Sequence, residues 1–147
     1  MVEIVKADKS HLDDVAALFD SYRVFYQQDS NLSQAREFLQ QRLTGEDSII
    51  FVAYQDGKAV GFTQLYPSYS SVQMKRSWIL NDLFVAEFSR QQGVAELLMS
   101  RVEQHAIDTQ AVAITLQTAV DNTKAQALYH KLDYQRVTNF YQYRLGT

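Results

Sequence analysis

The residues best suited to chemistry are Arg90, Gln91, Gln92, Gly93, Val94 and Ala95, which join an apolar strand-like run to a helical pattern. A helix start leaves its first amide hydrogens without partners and carries the positive end of the backbone dipole. A loop entering such a helix can therefore receive phosphate oxygens. Gly93 removes a side chain where the turn is tightest, Ala95 keeps the next surface small and Arg90 adds positive charge, a set that suits a pyrophosphate. The same glycine and alanine also suit a helix that merely packs closely on a strand, and six residues alone do not separate the two. Asp82 is a carboxylate within the preceding strand pattern, beside Asn81. Neighbouring strand residues face opposite ways unless a bulge re-aims one, so Asp82 reads either as a base acting through water or as a partner for backbone or arginine. Glu87 is a third carboxylate, read as solvated at the loop. His11, His105 and His130 are isolated, with no second ligand at helical metal spacing, and no metal is assigned.

These residues need elements to position them. A brief alternation around Val2 and Ile4 predicts a first strand, and Ser10 three positions before Asp13 predicts a helix cap. Leu12, Val15, Phe19, Tyr22 and Tyr26 then share one helical face, and Ala35, Leu39 and Leu43 mark a second helix ending near Gly45, where glycine takes the left-handed terminal conformation. Residues 48–54 and 59–66 form a hairpin across the Asp56-Gly57 turn, and Pro67, the only proline, is expected to end the second strand. Residues 68–75 read as a loop, residues 78–85 as a strand and residues 92–105 as a helix with Val94, Leu98 and Val102 inward. A strand at 111–118 and a helix capped at Asp121 or Asn122, carrying Ala125, Leu128, Tyr129 and Leu132, come next. Two last strands are expected near 134–137 and 140–145. The order describes a single α+β domain over residues 1–147, with a mixed sheet.

Two of these stretches resemble motifs of the GNAT N-acetyltransferase superfamily. Arg90, Gly93 and Ala95 match its central motif, in which a strand leads into arginine or glutamine, two variable residues, glycine, one variable residue, then glycine or alanine. Residues 121–134 resemble its second motif, with Asn122, then Tyr129 seven residues on, and the aromatic Tyr134 at the next strand. Many members have proline at the position of Glu87 and glycine at that of Gln91, but neither side chain is needed for amides to face phosphate. The resemblance implies a three-layer α/β/α sandwich around a mixed, mostly antiparallel sheet of six or seven strands. It implies acetyl-coenzyme A as cosubstrate, held by residues 90–95, by Phe84 and Val85 pairing as an added strand would, and by Asn122, Lys124 and Ala125. Asn122 could otherwise be only a helix cap.

Direct acetyl transfer in a ternary complex needs an uncharged amine, a place for the oxyanion and a proton for the leaving thiolate. The resemblance assigns the proton to Tyr129, whose alternative is a tyrosine packed in its apolar stripe. Relatives in the polyamine-acetylating branch carry glutamate where Asn81 stands, and asparagine is no base, which leaves Asp82 as the candidate and Glu87 as a further possibility. The acceptor implied is a primary amine of a small molecule, amino acid or peptide. Tyr22, Tyr26, Tyr66, Tyr69 and Trp78 are candidates to line its pocket, or else core or subunit-contact residues. A competing reading is a coenzyme A-binding regulatory module with little or no transfer, motivated by Asn81 and opposed by Tyr129.

Bulk properties agree with this class. The 147 residues, 46% hydrophobic and 12% aromatic, are enough for one buried core. A net charge of -3 argues against nucleic acid or anionic membrane as the main partner, and no apolar run is long enough to span a bilayer. The absence of cysteine excludes thiol nucleophiles and disulfides. With no signal peptide pattern, a cytoplasmic location is expected, and a homodimer is an expectation of the same kind.

Overall fold

The structure is a computed structural model describing residues 1–147, and it divides into two compact units, Met1–Leu116 and Gln117–Thr147. The first holds a five-stranded sheet in the order β1-β2-β3-β4-β5, made of Val2–Lys6, Ile49–Gln55, Lys58–Ser70, Lys75–Val85 and Ile114–Leu116. All neighbours are antiparallel except β4 and β5, so the sheet is mixed, as the α+β order predicts. Helices α1 (Leu12–Phe25) and α2 (Leu32–Gly45) cover one face, where Val15, Phe19 and Leu39 pack with Ile50, Val52, Phe62 and Phe84. Helix α3 (Val94–Asp108) covers the other, its His105 against Phe51 and Trp78. The result is three layers within this unit. The second unit contains α4 (Thr123–Lys131), with Asn122 accepting a hydrogen bond from the Ala125 amide at 3.2 Å as its cap.

Local chemistry explains most elements. Asp56 and Gly57 turn the β2-β3 hairpin with φ of 50° and 79°, the two positive values a tight primed turn requires. Elsewhere the expectations need correction. The first cap is Asp8, which accepts from the Ser10 amide at 2.8 Å and exchanges a bond with His11 in a capping box, so a short 3-10 turn precedes α1 and Ser10 lies inside it. At the end of α2 the left-handed residue is Glu46, with φ of 51°, and not Gly45.

Pro67 does not end β3, which continues to Ser70 with Pro67 opposite Trp78. Pairing of β3 with β2 ends at Leu65 opposite Ile49, so beyond that point β3 has a free edge and a missing amide hydrogen breaks no ladder there. The expected loop at 68–75 shrinks accordingly to a turn at residues 71–74. Strand β5 is shorter than the 111–118 run, and residues 134–137 and 140–145 form no strand, which gives five strands instead of six or seven. Alternation creates a strand only where a neighbouring ladder accepts it. After α4, Asp133 turns left-handed at φ of 67°, and Phe140, Tyr141, Tyr143 and Leu145 are exposed.

Candidate functional site

Gly93 is the N-cap of α3, with φ of 78° and no side-chain cap, and Gln91 is also left-handed at 64°. The first helical bond runs from the Leu97 amide to the Gly93 carbonyl at 3.1 Å, so the amides of Val94, Ala95 and Glu96 precede it. A Cβ built on Gly93 would meet nothing within 4 Å. Crowding therefore does not require this glycine. Its positive φ does. The helix is anchored by Val94 and Leu98, both buried, while Gln91, Gln92 and Gly93 stay exposed.

Arg90 sits differently from the simple expectation of a charge facing phosphate. Its Nε donates to the Val85 carbonyl at 2.9 Å, and its guanidinium lies over the rings of Phe25 and Phe84, 5.2 and 5.7 Å from their centroids. Arg90 thus ties the loop back to the end of β4. On the α1 side it borders a cleft of about 700 Å³ lined also by Ser21, Phe25, Phe84 and Phe88.

Strand β4 carries the second part of the site. Its pairing with β5 covers only Trp78 to Leu80, so from Asn81 to Val85 it is laddered to β3 alone. The register slips at this point: Leu65 faces Leu80 and Gln64 faces Asp82, leaving Asn81 as an extra bulged residue. The bulge re-aims the strand. Opposed residues share a face, so Leu80 lies with Leu65, while Asp82 lies with Gln64 on the face that Phe62 and Phe84 present to α1.

Asp82 is buried, and Gln64 Nε2 and Asn81 Nδ2 both donate to its Oδ2, at 2.9 and 3.1 Å. The Thr63 hydroxyl donates to its backbone carbonyl at 2.8 Å. Burial, then the charge of Asp82, pushes the Tyr66 phenol up to about 12. Gln64 and Asn81 escaped sequence reasoning as Asp82 partners, because the bulge that unites them is a property of pairing. Gly61 was missed as well. A Cβ there would come 2.9 Å from the Phe84 carbonyl oxygen and 3.4 Å from Leu98, so Gly61 lets β4 and α3 close beside the loop. A lone glycine inside a strand pattern was the available signal.

The aromatic candidates do not converge. Tyr22 meets Tyr26, Phe62 and Phe84 edge-on at 5.1, 5.6 and 5.9 Å on the α1 side. Trp78 and Tyr69 instead flank Arg76, which lies 5.0 and 4.9 Å from their rings. In the second unit, Asn122 caps α4, Lys124 is exposed and Ala125 half-buried. Tyr129 is half-buried, its ring 5.9 Å from that of Tyr134, whose amide donates to the Tyr129 carbonyl at 2.9 Å.

The family described as Acetyltransferase (GNAT) family matches residues 15–134. An uncharacterized N-acetyltransferase, YhfO, of Bacillus subtilis (strain 168) is 43% identical over 145 residues, covering 99% of this chain and 97% of the relative. A solved probable acetyltransferase superposes with a TM-score of 0.94 at 42% identity, over 99% of this chain and 97% of the other. The aminoglycoside N-acetyltransferase AAC(6')-Iy, solved in complex with CoA, shares the fold at a TM-score of 0.84 and 21% identity, over 99% and 95% of the two chains. With a family match across most of its length and a relative this similar over nearly all of it, the chain belongs to the GNAT acetyltransferase family.

Proposed function

We propose that this chain moves the acetyl group of acetyl-coenzyme A to a primary amine of a small molecule, amino acid or peptide, by direct attack in a ternary complex. The observation that carries the reading is the start of α3: a left-handed Gly93, no side-chain cap, and nothing within 4 Å of the place a Gly93 Cβ would take. The first-turn amides, with residues Arg90 to Ala95 around them, would hold the pyrophosphate. The edge of β4 at Phe84 and Val85 would run beside pantetheine, with Arg90 releasing or sharing the Val85 carbonyl. Asn122, Lys124 and Ala125 complete the donor site in this reading, which treats residues 1–147 as one acetyltransferase domain. The complex of AAC(6')-Iy with CoA supports the donor, and that protein's name supports a small amine as acceptor.

Asp82 takes the role of base, directly or through water. Gln64 and Asn81 hold its Oδ2, which leaves Oδ1 to receive the proton as the amine attacks the thioester carbon. Tyr129 gives its proton to the departing thiolate. Measuring acetyl-coenzyme A binding by calorimetry and thiol release across polyamines, amino acids and peptides tests the reading. Binding with turnover on at least one class is expected, whereas binding without turnover on any acceptor would favour a coenzyme A-binding module. Tyr129→Phe should lower kcat well below wild type with little change in donor affinity, and unchanged turnover would remove the acid role.

A further inference from the structure

A second cleft, of about 470 Å³, lies where the first half of β4 meets the last turn of α3, and its walls include Ser48, Ile49, Pro67, Arg76, Trp78 and His105. It is remote from the loop. Trp78 precedes Val85 by seven residues, ~23 Å of strand, and His105 follows Val94 by eleven, ~16 Å of helix. Two buried polar atoms on its lining residues have no hydrogen-bond partner, Ser48 Oγ and His105 Nε2, in residues only 7% and 9% exposed. In the middle of the sheet, Gln64 Nε2 and Thr63 Oγ1 both donate to Asp82, although Gln64 Oε1 has no partner either. Two orphans in one cleft are costly unless something fills it.

The rest of the wall is already organised. Trp78 Nε1 donates to Thr109 Oγ1 at 2.9 Å, and that hydroxyl donates to the His105 carbonyl at 2.8 Å, which fixes the indole. Arg76 stacks over Trp78 and Tyr69 and donates from Nη2 to the Tyr69 hydroxyl at 2.8 Å. The other arginine ion pairs join Arg36 to Asp13 and Arg42 to Asp47, while Arg76 meets no carboxylate. Burial, then the charges of Lys6 and Arg101, holds His105 below the ordinary histidine range, so its ring is neutral and Nε2 can serve either as donor or as acceptor.

We propose that this cleft is a second binding site, for a small organic monocarboxylate. The Arg76 guanidinium, which has no carboxylate partner, and the hydroxyl of Ser48 receive the carboxylate, and His105 Nε2 bonds its second oxygen or a neighbouring hydroxyl. Ile49, Pro67 and the face of Trp78 cover an apolar or aromatic body. Glu46, exposed at the rim, disfavours multiply charged anions such as phosphate. This site is independent of the acetyl-transfer reading.

Trp78 is the only tryptophan, so its fluorescence reports the cleft directly. Titrating the full chain with benzoate, phenylacetate and 4-hydroxybenzoate should give a saturable change with at least one, and inorganic phosphate should give none. Arg76→Gln and Ser48→Ala should each weaken that binding about tenfold or more, the loss of one charge-assisted or buried hydrogen bond, with acetyl-coenzyme A affinity unchanged. Because Arg76→Gln alters the indole's surroundings, Ser48→Ala followed also by calorimetry is the decisive variant. No saturable response to any of the three carboxylates, equal binding by phosphate, or unchanged affinity in Ser48→Ala overturns the proposal. So does a carboxylate-soaked crystal in which only ordered water joins Ser48 Oγ to His105 Nε2.

Discussion

Helices α2 and α3 are similar in length, 14 and 15 residues, but begin in opposite ways. At the start of α2, Asn31 accepts from the Gln34 amide at 3.1 Å, the Ser33 hydroxyl donates back to Asn31, and Asp20 grips the Asn31 amide at 2.7 Å and the Ser30 hydroxyl at 2.6 Å. That end is closed by its own side chains. At the start of α3, Gly93 has no side chain to offer, no side-chain cap forms, and nothing lies within 4 Å of the place its Cβ would take. A side-chain cap stabilises a helix by ~1 kcal/mol, so its omission at a well-packed helix leaves the first-turn amides for an external anion. The contrast separates a helix start closed by its own side chains from one that the proposed function assigns to binding.

The comparison can be broken by making α3 resemble α2. Gly93→Asn tolerates the left-handed φ yet puts an acceptor where phosphate would sit, so acetyl-coenzyme A affinity should fall about a hundredfold, ~2.7 kcal/mol, with the fold retained by circular dichroism. Affinity within a factor of two of wild type would remove the loop from the donor site. Next in size, Gly61→Ala forces a methyl against the Phe84 carbonyl. It should cost ~1–3 kcal/mol in denaturant unfolding and also weaken donor binding, because β4 moves beside the loop. The reverse test is Asn31→Ala, expected to cost ~1 kcal/mol without changing donor affinity. A matching loss of affinity would erase the distinction between the two ends.

The smallest effect is a pH dependence at the closed end. Bonds from Ser30 and Asn31 hold the Asp20 carboxyl below its ordinary 3.8. A carboxyl so lowered contributes stability above its unfolded value and loses it as pH falls through its folded one. The Tm gap between wild type and Asp20→Asn should therefore be present at pH 5 and close progressively below about pH 4. A gap independent of pH would mean that Asp20 acts through packing instead.

What could be read beforehand was local. The Asp56-Gly57 turn, the apolar stripe of α3 and the Arg90 to Ala95 loop each depend on a few adjacent residues whose conformational preferences need no distant partner. Even locally, competition between neighbours misled: Asp8 outbids Ser10 as a cap because His11 completes its box, and Glu46 takes the left-handed position beside a glycine. Pro67 was misjudged for a tertiary reason, since its tolerance depends on where β2 stops.

By itself the sequence determined the helix faces, the hairpin, the loop that suits a pyrophosphate and the motifs that resemble an acetyltransferase. Only tertiary pairing decided which way Asp82 faces, because the bulge at Asn81 exists as a mismatch between two strands and neither strand encodes it alone. The same holds for Gly61, for Arg90 turned onto Val85, and for the orphaned Ser48 and His105. A hydrogen bond or a close approach between residues far apart in sequence is set by how the layers stack, and no spacing along the chain records it.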